Sequence, residues 1–191
     1  MIDDNVTKWL KSGTQSEVTM HVKNAIASID GDGLQYVLNM MKYLKDGHHK
    51  ADASNFKTLF RKRTAEEIIL SDEIVGCSDY AVAFCALARG KGIPTIFVEM
   101  PEKSWVESDD TQRFANHDFC KIYINNTWYW VDPTRGNIGT QGPHNVGGDK
   151  EYVLFAEGLD SWDLGLKDWD SYTKKYLKFR DVWKSTNRVL I

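Results

Sequence analysis

The sequence predicts an α+β fold, with helices first and then a meander of antiparallel strands, in one domain spanning residues 1–191. Three observations carry this. Apolar residues recur at three- and four-residue spacing through the first seventy positions, β-branched and aromatic runs replace that pattern after Pro94, and Asn125-Asn126 separates two of those runs as a tight turn. With 191 residues, of which 42% are hydrophobic, the chain closes one substantial core. The motif-bearing core covers about 64–134, with helices over 1–63 and a glycine-rich loop and tryptophan-rich helix over 135–191.

Thr14-x-x-Glu17 and Thr64-x-x-Glu67 fit the capping-box pattern, in which each side chain satisfies a backbone donor at the other end. Val18, Val22, Ile26 and Ile29 stripe one helix. Leu34, Val37, Leu38, Met41 and Leu44 stripe the next, which ends near Gly47, and both stripes read as core. Arg61-Lys62-Arg63, just ahead of Glu66-Glu67, reads as a solvated lead-in to a helix. Cys77 to Arg89 is apolar almost all round, which predicts a buried central helix stopped by Gly90 and Gly92.

Thr95 to Val98, Phe119 to Ile124 and Thr127 to Val131 read as strands. Asn tolerates positive φ, so Asn125-Asn126 predicts a two-residue hairpin. Five glycines between Gly136 and Gly148 mark a loop, in which His144 reads as solvated. Trp169, Tyr172, Tyr176, Phe179 and Trp183 then lie at helical spacing on a helix laid over the domain.

Lys+Arg number 24 against 27 Asp+Glu, with the signs interspersed, which gives no broad electrostatic footprint for nucleic acid or an anionic membrane. No apolar run reaches the roughly 18 residues of a membrane span, and the opening Met1-Ile2-Asp3-Asp4 is acidic where a secretory leader is basic. The expected location is therefore cytoplasmic. Three cysteines, Cys77, Cys85 and Cys120, form no CxxC pair, so neither a disulfide framework nor a cysteine-zinc site is expected, and no cofactor or metal is called for.

Cys77 follows Gly76 where a loop becomes the buried helix, so its sulfur lies near unpaired N–H groups and the positive end of the helix dipole. That placement, with a nearby imidazole, lowers a thiol from its ordinary pKa of about 8.5. Cys85 and Cys120 sit among apolar residues and read as packing. If Asn125-Asn126 is the whole turn, Ile124 pairs with Thr127 and Phe119 falls opposite Asp132. His117 and Asp132 then share a face as diagonal neighbours, with Cα atoms roughly 7–8 Å apart, within hydrogen-bonding reach. Pro133 gives the ladder no N–H and ends that strand, which puts the pair at the sheet's rim.

Val75-Gly76-Cys77-Ser78-Asp79-Tyr80-Ala81, His117 opening Asp118-Phe119-Cys120-Lys121-Ile122-Tyr123, and Trp128-Tyr129-Trp130-Val131-Asp132-Pro133-Thr134 resemble the cysteine, histidine and aspartate motifs of the transglutaminase-like superfamily. The resemblance implies a papain-like α+β core, with a cysteine-bearing helix packed on an antiparallel sheet. It implies Cys77 as nucleophile, His117 as base and acid, and Asp132 as the residue orienting His117. Many members place Ala and Trp after the histidine, where this chain has Asp118 and Phe119, a difference beside the cleft.

The expected function is cysteine-dependent acyl chemistry on an amide bond of a peptide or protein substrate, through a thioester, with hydrolysis favoured over transfer to an amine. One rival is a non-catalytic module that keeps the fold and binds peptides or proteins. A second rival, a metal-dependent hydrolase using His48, His49 or His117, lacks the spaced histidine pair of a helical zinc site.

Overall fold

The structure, a computed structural model, describes residues 4–187, so Met1, Ile2 and Asp3 of the acidic opening lie outside it. Helices α1 (Asp4–Thr7), α2 (Met20–Ala27) and α3 (Gly33–Asp46) precede strand β1 (His49–Lys50). Then α4 (Phe56–Leu59), α5 (Ala65–Leu70) and β2 (Glu73–Ile74) lead into α6 (Cys77–Gly90). After these come β3 (Thr95–Pro101), α7 (Lys103–Glu107), β4 (Asn116–Ile124), β5 (Thr127–Asp132), β6 (Asn137–Gly139), β7 (Ala156–Gly158) and α8 (Trp169–Asn187).

Helix α6 is central because almost every side chain on it is apolar or small. It is covered by β3 and β4 on one side and by α2, α3 and α5 on the other. Phe84, Cys85 and Leu87 are wholly buried, and each large apolar side chain so placed contributes about 1.5–3 kcal/mol. Cys85 and Cys120 lie inside this layer with their sulfurs 3.6 Å apart, both as free thiols.

The sheet has the order β6-β5-β4-β3-β7, with every pairing antiparallel. Ile124 faces Thr127 across Asn125 (φ 51°) and Asn126 (φ 61°), the left-handed geometry of a two-residue hairpin. That turn fixes which residues face α6. Phe97, Cys120, Ile122 and Val131 belong to the α6 core, while Ile96, Val98, Met100 and Phe119 form a separate cluster on the opposite face.

Several expectations are corrected. Thr14 and Glu17 form no capping box, because α2 starts at Met20 and is capped by Thr19. The Thr14 segment is instead drawn onto Asp160, whose Oδ2 accepts the backbone N–H groups of Gln15 and Ser16 and the Ser16 hydroxyl, each at 3.0 Å. The Thr64–Glu67 box forms as the spacing predicts. On α3, Leu34 and Leu38 are exposed while Tyr36 and Met40 are buried, so the core stripe is rotated from the predicted one.

Gly136 to Gly148 is not simply a loop. It contains β6 and a turn at Pro143–Asn145, and Val146 is buried. Gly147 passes so close to the Phe119 ring that a Cβ there would lie 2.7 Å from it. Arg61 and Arg63 are buried, not solvated. Helix α8 buries Tyr172 and Tyr176 against Phe60 and Trp105, which lays it over the domain. No helix among the described residues is long and apolar enough to cross a membrane.

Asp160→Ala strands two buried backbone N–H groups, each costing about 1–3 kcal/mol when left unpaired. Urea unfolding is expected to show a loss of roughly 3 kcal/mol, and an unchanged midpoint would contradict the role given to Asp160.

Candidate active site

Gly76, in extended conformation, is the N-cap of α6, and Cys77 is the helix's first residue. The first-turn N–H groups there have no acceptor within the helix. Asp79, two residues on, accepts the Val75 N–H at 3.0 Å and pairs with Arg63, which pins the entry of the helix. The Cys77 thiol is partly exposed, and its Sγ–H donates to Asp118 Oδ2 at 3.5 Å.

His117 and Asp132 meet across the rim of β4 and β5, with His117 Nε2 2.8 Å from Asp132 Oδ2. Asp132 Oδ1 accepts the backbone N–H groups of Thr134 and Arg135 at 3.0 Å each. The Arg135 guanidinium donates to Oδ2 at 2.8 Å. Arg135 Nη1 also lies 3.0 Å from His117 Nε2, so Nε2 is engaged with Asp132 and Arg135, and Nδ1 is the ring nitrogen outside that cluster. Phe119 packs edge-on against the imidazole at 4.8 Å between ring centroids, and Tyr152 lies 6.2 Å away. Burial pushes the Asp132 carboxyl up, but the bonds from His117 and Arg135 outweigh it and hold the group below the ordinary carboxylate range.

The three residues singled out from sequence thus fall in two places. His117 and Asp132 are joined on the face of β4 that carries Phe119. Cys77 stands on the α6 face, bonded to the neighbouring residue Asp118 and not to His117. Successive strand residues alternate faces, so thiol and imidazole reach the same end of β4 from opposite sides.

Beside the thiol lies a buried charge cluster. Arg61, fully buried, directs Nη2 to Glu99 Oε1 at 2.9 Å and to both Asp118 oxygens at 3.2 Å. Glu99 Oε1 also accepts from Asn116 Nδ2 at 3.0 Å and from the Tyr176 hydroxyl. Tyr172 donates to Asn116 Oδ1 at 2.9 Å. Glu99 and Asp118 are direct cross-strand partners, so one guanidinium serves two carboxyl groups. Burial drives the Glu99 carboxyl well above its ordinary value, and Asp118 adds to the rise although Arg61 opposes it. Burial and then the Asp118 charge likewise push the Cys77 thiol well up, with Arg61 pulling the other way. The helix start alone predicts a lowered thiol; burial, joined by a carboxylate 3.5 Å away, reverses the direction.

Sequence reasoning missed Arg61, Glu99 and Arg135. Arg61 has φ +59°, held by Trp162 Nε1 donating to its carbonyl at 2.6 Å, a contact across a hundred residues that no local pattern shows. The one signal present was the acid after His117. Among the described residues no group of three or more His, Cys, Asp or Glu is placed to hold a metal. His48 directs both ring nitrogens to the carbonyls of Leu44 and Ile68.

Two pH effects follow. Asp132 ionises more readily folded than unfolded, so the unfolded state binds more protons below about pH 4, and the stability this group contributes is lost as pH falls through that window. The stability gap between the wild type and Asp132→Asn should be largest above about pH 5 and shrink in acid, read by urea unfolding across pH; a gap independent of pH would contradict it. Glu99 has the opposite sign, because the unfolded chain loses this proton near about pH 4.3 and the folded one does not, so stability falls as pH rises. Glu99→Gln should therefore keep or gain stability at pH 8, whereas Arg61→Met, which strands the carboxyl groups, should cost about 3–5 kcal/mol.

A sequence model of the transglutaminase-like superfamily matches residues 22–133. No curated protein matches the chain. Among solved structures, a candidate cysteine protease from Cytophaga hutchinsonii is similar in fold, with a TM-score of 0.63 and 19% sequence identity. The similarity covers 86% of this chain and 50% of that one, so the chain spans half the neighbour's length. The matched region runs from α2 through the end of β5 and contains Cys77, His117 and Asp132 alike, and the chain belongs to the transglutaminase-like superfamily.

Proposed function

We propose that the protein is a cysteine hydrolase acting on an amide bond of a peptide or protein, with Cys77 as nucleophile, His117 as base and acid, and Asp132 orienting His117. The observation that carries this reading is the His117–Asp132 pair, braced by Arg135, at the end of β4 that adjoins the first residue of α6. His117 Nδ1 takes the thiol proton as sulfur adds to the carbonyl carbon. The Cys77 backbone N–H at the helix start stabilises the oxyanion, a contribution of about 3–4 kcal/mol for one such donor. His117 then returns the proton to the leaving amine as the C–N bond breaks, and water, deprotonated by His117, cleaves the thioester.

A cleft of about 470 Å³ lies just ahead of α6, with Ala51, Phe56 and Val75 among its walls and the exposed Lys50 and Lys57 at its edge. Val75 stands two residues before the nucleophile, which suits an apolar substrate side chain there. The description of the structural neighbour from Cytophaga hutchinsonii as a candidate cysteine protease agrees with hydrolysis. A second reading, a binding module without chemistry, is favoured by the thiol's bond to Asp118 in place of His117.

Incubation with a peptide library, with and without a labelled amine, separates these readings. New termini at a rate lowered about 10³-fold or more in Cys77→Ala, and at least about 10²-fold in His117→Ala, are expected. Amine incorporation would replace hydrolysis with transfer. Cleavage that survives Cys77→Ala, or no turnover of either kind, would favour the binding module.

A further inference from the structure

Among the clusters outside the His117–Asp132 pair, the one built on Arg61 is set apart by touching the nucleophile. Asp118 lies on the α6 face of β4, is fully buried, and accepts the Cys77 Sγ–H at 3.5 Å. Its own position is fixed by Arg61, which bonds both of its oxygens, and by Glu99 directly across the ladder. The groups facing the sulfur are therefore Asp118 from β4, Glu99 from β3, Arg61 from the turn before α5, and Tyr172 from α8. Arg63 and Asp79 form a closed pair at the helix entry. One cation already serves two buried carboxyl groups, so a thiolate at Cys77 would have to compete with Asp118 for the same guanidinium.

We propose that Asp118 is a positioning residue that parks Cys77 as a neutral thiol, so that the resting protein is a latent cysteine enzyme and not a preformed thiolate–imidazolium pair. Activation then consists of the Sγ leaving Asp118 and turning about its Cα–Cβ bond toward His117, which takes the proton. This rests on Cys77 being the nucleophile, yet it makes a claim about the free protein that needs no substrate. Burial and the neighbouring charge raise the thiol's pKa in the same sense. Resting Cys77 should resist alkylating agents and peroxide at neutral pH, because both attack the thiolate.

The test is the pH profile of iodoacetamide alkylation, followed at Cys77 by mass spectrometry in the intact chain without substrate. The wild-type midpoint is expected above the ordinary thiol value of about 8.5. Asp118→Asn keeps the shape but removes the charge, and should lower the midpoint by about one unit, making Cys77 roughly tenfold faster to alkylate at pH 7. Asp118→Glu should restore the high midpoint. His117→Ala should leave it unmoved, whereas in a preformed ion pair that change would raise it. A wild-type midpoint at or below the ordinary value, or one that Asp118→Asn leaves in place, overturns the proposal. Should Asp118→Asn not fold, the infrared S–H stretch of the wild type, identified by its loss in Cys77→Ala, decides the matter. A band lowered by hydrogen bonding at neutral pH supports parking, and its absence overturns it. Loss of amide cleavage in Cys77→Ala is a separate readout, so a failed nucleophile and a failed latch give different results.

Discussion

A single buried guanidinium organises the structure around Cys77. Arg61 comes from the turn before α5, yet it ties β3 through Glu99 and β4 through Asp118, and its charged plane lies 5.2 Å from the rings of both Phe60 and Tyr172. Through Glu99 and Asn116 the same network reaches Tyr176 and Tyr172 on α8. Removing water from so many charges is costly, and it is tolerated because each carboxyl group finds donors while burial pushes Glu99 toward its neutral form. The C-terminal helix is thereby coupled to the cysteine, although it contributes none of the three motif residues.

The second constraint is the pleat of β4. Adjacent residues leave opposite faces, so His117 joins Asp132 and Arg135 at the rim while Asp118 turns inward to the α6 start. A small residue at position 118 would take away the carboxylate to which the sulfur donates. The aspartate supplies an acceptor, and the thiol takes it. The same alternation places Phe119 under the close passage of Gly147, which holds the glycine-rich segment against the sheet.

The parts of this arrangement that were legible are those governed by short-range rules. The Asn125-Asn126 turn set the register, the register set which residues oppose each other, and the His117–Asp132 approach followed. The apolar circumference of Cys77 to Arg89 announced a helix covered on all sides. What failed did so where a distant group outbid a local pattern. Asp160 took the Thr14 turn away from a helix cap, and two carboxyl groups and two aromatic rings drew Arg61 out of an apparently solvated basic run.

By itself, then, the sequence determined the main helices, the strands β3 to β5 that follow them, the hairpin register and the positions of Cys77, His117 and Asp132 on these elements, because each depends on periodicity and turn chemistry within a few residues. Only the tertiary structure decided what surrounds the sulfur. Whether a thiol at a helix start is driven toward or away from ionisation depends on the charges brought within a few ångströms of it, and here Arg61, Glu99 and Asp118 come from three separate parts of the chain.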